Sequence, residues 1–354
     1  MIFLLTVALF AFSVPSFTQD YKVKKVGKAF SHPWGISVFD NDEVLITERG
    51  GNLFKVNIKN GSRLKISNLP EVFNVRQGGL LDVLVDKESV SERKVYICYS
   101  SKVSGGSSTT LMAGTLKEDK LISKKILFKS NNVSKSGVHF GCRLAILNDE
   151  IFMSIGDRGN RYEAQDVSSH AGSVIRVNKY DGATKERKAY NSWPAEVYTK
   201  GHRNPQGMAI NSKTNEIWVN EHGPKGGDEI NIIKPGKNYG WPIITYGINY
   251  SGTIITNKTS MNGMEQPLYY WVPSIAPSGM AFSTSNVYPK WKNSLFVGSL
   301  KFEYLERLEI KKEKVIKREK VLESIGRVRN VKEGPDGYLY VAVEGNGILK
   351  IIPN

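Results

Sequence analysis

Eight polar residues of this 354-residue chain share one placement: Gln77, His139, Arg143, Arg203, Asn204, Gln206, Arg327 and Arg329 each stand at or just before the start of a short apolar run. Guanidinium groups grip carboxylates and phosphates through paired N–H donors, so this set suits a ligand that carries several such anions. Any one of them could simply solvate a channel; taken together they point to a site. His139 adds the side chain best suited to moving a proton near neutral pH. A lone histidine is as commonly a hydrogen-bonded structural residue, and its position alone leaves both roles open.

A second concentration of unusual chemistry is EHGPKGGDEIN (residues 221–231), which follows the strand-like run NEIWV. Gly223, Pro224, Gly226 and Gly227 keep the backbone bent and accessible. Its carbonyls can point at one place, and Asp228 and Glu229 add negative charge. Oxygen donors without cysteine suit a hard cation such as Ca²⁺. The spacing is not that of an EF-hand, and a rigid corner explains the composition equally well.

The elements that must hold these residues are strands. Runs of four to six apolar and β-branched residues, bounded by Gly, Asn, Asp and Pro, fill the chain, and no segment sustains a helical period. The runs recur as one pattern, restated from Pro33, Gly78, His139, Gly201, Ala276 and Gly326. Each copy has the content of an antiparallel propeller blade, and closing them into a ring removes exposed edges. The expected fold is all-β, a six-bladed β-propeller of four-stranded antiparallel blades; a β-sandwich fits six restated units less well. The first strand of each copy would line the channel, which places the eight polar residues at one mouth. An insertion at 243–272 is too long for a turn and is expected to be functional. KKEKVIKREK (311–320) reads as an exposed strand pair and turn.

Residues 1–19 carry the apolar core and small-residue exit of a secretory signal peptide, leaving 20–354 as a single domain in the periplasm or outside the cell. The apolar run is short for a membrane span, so no stable insertion is expected after cleavage. Cys98 and Cys142 could pair in an exported protein; two buried free thiols are the favoured reading, because the chain lacks the cysteine density of a disulfide scaffold. The net charge is +15, but the lysines are dispersed and no nucleic-acid module accompanies them, so nucleic-acid binding is not expected. The chain could be monomeric or dimeric.

GHRNPQGMA (201–209), EHGPKGGDEIN and GKNYGWP (236–242), in that order, resemble the pyrroloquinoline quinone (PQQ)-dependent soluble glucose/sorbosone dehydrogenase family, its aldose sugar dehydrogenase branch most closely. RQGGLLDV (76–83), HFGCRL (139–144), SIGDRG (154–159), PSIAPSGMAF (273–282), SLK (299–301) and GRVR (326–329) extend the resemblance over essentially the whole chain after the leader. The resemblance implies a six-bladed propeller holding PQQ on a Ca²⁺ ion at its mouth. It makes His139 the general base and Arg203 the arginine at the reactive quinone carbonyl. Gln77, Asn204, Lys301, Arg327 and Arg329 become cofactor-binding residues. It gives the backbone carbonyls of Gly223 and Pro224 to the cofactor-bridging Ca²⁺, with Asp228 behind them and Asp157 as a further supporting acid. Glu229 and Tyr239 fall near a second, structural Ca²⁺.

The implied reaction oxidises the C1 hydroxyl of an aldose to a lactone, with the base taking the proton, hydride passing to PQQ, and an external quinone or redox protein removing the electrons. Three residues depart from the pattern: Cys142 stands where the branch commonly has Gly, Val138 where the glucose enzyme has an acid beside the base, and His222 where it has Gln. Two other readings compete. A Ca²⁺-dependent lactonase or esterase on a similar propeller would need direct Asn, Asp and Glu ligands from several blades, which are not evident. A secreted glycan- or protein-binding propeller without catalysis has no need of His139, Arg203 and the Gly223–Pro224 pair together.

Overall fold

Three strands near the axis repeat the tripeptide Pro-x-Gly, and the reason is steric. In the computed structural model, which describes residues 21–89, 91–184 and 192–354, the strands Pro33–Val38, Pro205–Asn211 and Pro277–Phe282 each open a sheet and face a neighbouring inner strand. A Cβ on Gly35 would come within 2.9 Å of Asp82 Cα, one on Gly207 within 2.4 Å of the Ser278 carbonyl, and one on Gly279 within 2.6 Å of Asn330 Cα. Glycine is the residue that lets these backbones approach so closely.

Six sheets result. Their inner strands are Pro33–Val38, Leu80–Val85, Leu144–Leu147, Pro205–Asn211, Pro277–Phe282 and Val328–Glu333, and each contacts the next around a closed ring. The architecture is a six-bladed β-propeller of four-stranded antiparallel blades. The third blade adds the two-residue strand Lys237–Asn238, paired parallel to Val197–Lys200. Helical content among the described residues is three short 3₁₀ turns. The last blade takes its outer strand, Tyr21–Val26, from the start of the described chain, paired with Gly347–Pro353. The pattern of six repeats did not reveal this closure. The expected signal segment, 1–19, lies outside the described residues.

The core lies between blades rather than within one. Tyr96, Cys98 and Leu111 of the second blade pack against Leu144, Ile151 and Ile175 of the third, and Trp218 and Ile230 of the fourth against Met280 and Val297 of the fifth. The basic stretch 311–320 is an exposed hairpin. Lys312 and Glu313 both take left-handed φ (49° and 53°) between Leu305–Lys311 and Lys314–Leu322, the geometry of a two-residue turn. The 243–272 insertion is mostly irregular but ends in Tyr269–Trp271, the outer strand of the fourth blade.

The cysteines correct an expectation. Cys98 and Cys142, read as free thiols, form a disulfide with Cα atoms 5.6 Å apart, both fully buried. Cys98 lies on the second strand of the second blade and Cys142 in the segment leading into the third, so inter-blade packing brings together residues whose spacing in the chain gave no sign of it. Cross-linking residues 44 apart removes chain entropy worth about 4 kcal/mol from the unfolded state. Replacing both cysteines by serine should lower stability by ~2–4 kcal/mol. In urea titrations the midpoint should fall, and reductant, which should lower the wild-type midpoint, should have no effect on the variant.

Candidate active site

The inner strands begin at one end of the channel and the second strands end there, so two rows of residues meet at that mouth. The first row is the set read from the sequence without Arg143. The second follows the second strands: Arg49, Asp157, His222, Leu300 and Glu344. Trp34, Gln77, Asn204, His222, Arg327 and Arg329 are among the residues that enclose a cavity of about 170 Å³, with Arg49 and Leu300 also on its wall.

His139 sits beside this cavity with left-handed φ (51°), its N–H donating to Gln77 Oε1 at 2.8 Å. Its Nδ1 is 2.6 Å from Asp157 Oδ1. A carboxylate on Nδ1 directs that nitrogen's proton inward and leaves Nε2 as the basic atom. Asp157 is 2 % exposed, and it also accepts the Gly159 N–H at 2.8 Å and the Trp241 indole N–H at 2.9 Å. Burial works to raise its pKa, but the His139 contact, the Gly159 N–H and the Arg203 charge together hold it below the ordinary aspartate value. The acid missing at Val138 is thus supplied from 18 residues further along.

Arg203 is buried, with Nη1 donating to the carbonyls of His222 (3.1 Å) and Gly223 (2.7 Å). Arg327 and Arg329 share one carboxylate, Glu344, at 3.2 and 3.0 Å. Arg329 Nε is buried with no hydrogen-bond partner among the described residues. Desolvation lowers the Arg329 pKa to about 10, which still leaves it cationic at neutral pH. His222 donates from Nε2 to the Pro277 carbonyl at 2.7 Å; desolvation, then the Arg203 charge, hold its pKa down to about 3, so it adds no positive charge near pH 7. The mouth is strongly cationic around a single proton-accepting dyad.

Two sequence expectations need correction. Arg143 does not line the mouth. It is fully buried, salt-bridged to Asp82 Oδ1 at 2.9 Å and lying 4.1 Å from the Trp34 ring, so it plugs the channel below the cavity. Asp228 lends no open charge to the 221–231 corner. Its carboxylate accepts the N–H groups of Gly223, Ile275 and Ala276 at 2.7–2.8 Å, and burial raises its pKa to about 6. The corner is braced by that carboxylate, with the Gly223 carbonyl turned to Arg203 and the Pro224 carbonyl accepting from Ser274 Oγ at 3.3 Å.

The remaining residues fall into place around this centre. Asn204 Oδ1 accepts from Gln206 Nε2 and from the Gly141 N–H, each at 3.3 Å. Lys301, next in the chain to Leu300 of the cavity wall, is exposed. Glu229 and Tyr239 border a void of about 10 Å³, roughly the room of one water, which Arg203, His222 and Gly223 also line. Burial and then the Glu221 charge raise the Glu229 pKa well above the usual range. The Tyr239 hydroxyl already donates to the Ile232 carbonyl and accepts the Lys234 N–H. Arg49 and Glu344 were missed in the sequence; their signal was the position after each second strand.

Fold and site define a six-bladed propeller enzyme with a histidine–aspartate dyad at an arginine-walled mouth. The chain belongs to the glucose/sorbosone dehydrogenase family, whose model matches residues 30–350, and it is a dehydrogenase. The aldose sugar dehydrogenase YliI of Escherichia coli is 38% identical over 335 residues, 91% of this chain and 90% of that one. The apo structure of the soluble aldose sugar dehydrogenase of E. coli superposes with a TM-score of 0.88 at 35% identity, covering 94% of this chain and 100% of the other. The PQQ-bound aldose sugar dehydrogenase of Streptomyces coelicolor superposes with a TM-score of 0.77 at 25% identity, covering 95% and 99%.

His222 carries a pH signature. Its folded pKa of about 3 lies below the unfolded value of 6.5, so between these values the unfolded state binds the extra proton and acidification destabilises the fold. In cofactor-free protein His222→Gln should match wild type at pH 7 and lose less stability at pH 4.5, as measured by urea midpoints.

Proposed function

We propose that the protein is a PQQ-dependent aldose dehydrogenase that oxidises the C1 hydroxyl of an aldose to the lactone and passes the electrons to an external acceptor. The observation that carries this reading is the His139–Asp157 dyad set beside a cavity walled by Arg49, Arg327 and Arg329. The partnerless Arg329 Nε and the excess of guanidinium over carboxylate fit a planar polycarboxylate. Gln77, Asn204, Arg203, Arg327 and Arg329 would hold it, with Lys301 at the rim. When bound, PQQ supplies the two-electron acceptor for the C1 hydrogen, and a Ca²⁺ beside it supplies Lewis-acid polarisation.

The carbonyls of Gly223 and Pro224 are of the right donor type for that Ca²⁺, but two oxygens are too few for an ion that takes about six to eight. The remaining donors would be the cofactor's and water's. Asp228, saturated by three backbone N–H groups, braces the corner rather than binding the ion. Glu229 and Tyr239 would lie at a second, structural Ca²⁺.

His139 Nε2 takes the C1 hydroxyl proton. Asp157 stabilises the imidazolium that forms and fixes the ring's orientation, while Trp241 and Gly159 hold Asp157 in turn. The Arg203 guanidinium, held on the His222 and Gly223 carbonyls, would supply fixed positive charge to the bound acceptor. His222, neutral, leaves that field to the arginines. Export to the periplasm or beyond is part of the reading, and the disulfide supports it, since such bonds persist in oxidising compartments.

Cofactor-free protein given PQQ and Ca²⁺ should reduce a dye when an aldose is added; no aldose-dependent reduction at saturating cofactor would sink the reading. His139→Ala should keep the PQQ absorbance change on binding and lose about 10²–10⁴-fold in turnover. Asp157→Asn should retain binding too, with a smaller loss of turnover and a shifted acid limb in the pH–rate profile.

A further inference from the structure

A cleft of about 860 Å³ opens between the fourth and fifth blades, outside the cofactor cavity. Strand register places it on the mouth face. In the fourth blade Trp271 pairs with Asp228, directly after the 221–227 corner; in the fifth, Pro277 pairs with Ser299 and Glu306 with Lys320, so each lining strand reaches the cleft at its mouth end. One backbone layer separates cleft from cavity. Ile275 and Phe302 line the cleft, while their neighbours Ala276 and Leu300 line the cavity. The two segments are bonded to each other, Leu300 N–H to the Ala276 carbonyl at 3.0 Å and Lys301 N–H to the Ile275 carbonyl at 3.1 Å.

The walls are aromatic. Tyr246 and Tyr270 stack at 3.8 Å, and the rings of Phe302 and Tyr304 lie within 7° of parallel. Tyr270 and Phe302 are 42% and 44% exposed. Several of the polar groups between them are already paired. Tyr246 donates to Gln266, Arg318 to both Tyr269 and Glu306, and Trp271 Nε1 to Glu306. A flat ring finds open faces to stack on in Tyr270 and Phe302. Lys301 and Lys320 lie over Phe302 and Tyr304 at 5.0 and 5.3 Å and make the rim positive.

We propose that this cleft binds a quinone, the one- or two-ring oxidant that collects the electrons of each turnover. The proposal rests on the dehydrogenase reading above. Oxidising an aldose to its lactone releases two electrons and two protons. One quinone takes up all four and leaves as the quinol, so the sum is aldose plus quinone to lactone plus quinol. The cleft lies one backbone layer from the cavity and apart from the mouth, so sugar and quinone occupy the protein together.

The test is a titration of cofactor-free protein with menadione, read by quenching of tryptophan fluorescence. Binding should saturate, persist in the presence of glucose, maltotriose or PQQ, and weaken about 3- to 10-fold in Tyr270→Ala and in Phe302→Ala. In the reconstituted enzyme the same variants should raise the KM for menadione and leave that for the sugar unchanged. Displacement by maltotriose would make the cleft a saccharide subsite, displacement by PQQ would put the quinone in the mouth, and indifference to both substitutions would put it elsewhere; each overturns the proposal. Failure of PQQ to bind at all would instead remove the function proposed above, which the absorbance titration reads separately.

Discussion

Everything at the mouth depends on how closely six inner strands crowd one axis. Gly35, Gly207 and Gly279 permit that approach, and the Arg143–Asp82 pair occupies what room is left at the centre. Neither charge of that pair reaches solvent, and the guanidinium is further satisfied by the Gln206 carbonyl and the Trp34 ring. A buried pair of this kind contributes little net stability, but losing one partner would strand the other charge, which typically costs about 3–5 kcal/mol. The closed channel floor turns a through-hole into a cup, and a cup can keep a polyanion and exclude bulk water.

Within the cup, charge is arranged by subtraction. Arg327 and Arg329 are half-neutralised by Glu344, and His222, which could have added charge, is kept neutral by desolvation and by Arg203. The carboxylate of Asp157 is kept ionised next to the one imidazole able to accept a proton. The site therefore separates two tasks: fixed cations for binding, and one dyad for proton transfer. Asp228 performs a third: its carboxylate accepts the Gly223 N–H within the 221–231 corner of the fourth blade and ties that corner to the N–H groups of Ile275 and Ala276 at the start of the fifth.

Much of this was legible in the chain. The repeat fixed the number of blades, and because inner strands begin each repeat, it also placed His139, Arg203, Asn204 and Arg327 at one mouth. The same rule misplaced Arg143, which stands just before its strand but turns its buried guanidinium to Asp82 and the Gln206 carbonyl. Residues reached by the return of the second strand, Arg49 and Glu344 among them, belong to no motif and were invisible without knowing where each strand ends. The disulfide was missed for a related reason: Cys98 and Cys142 meet only through inter-blade packing. The bracing role of Asp228 was hidden because a carboxylate beside three glycines looks the same in sequence whether it is open or saturated.

The last blade is assembled from both ends of the described chain, Tyr21–Val26 closing on Gly347–Pro353. A chain made from its N-terminus must carry that first strand, unpaired, until the final one appears. Until then the growing ring has two open edges, each able to recruit a strand from a neighbouring molecule. Closure is therefore a late event that depends on both termini at once, and trimming the beginning of the domain would damage the same blade as trimming its end.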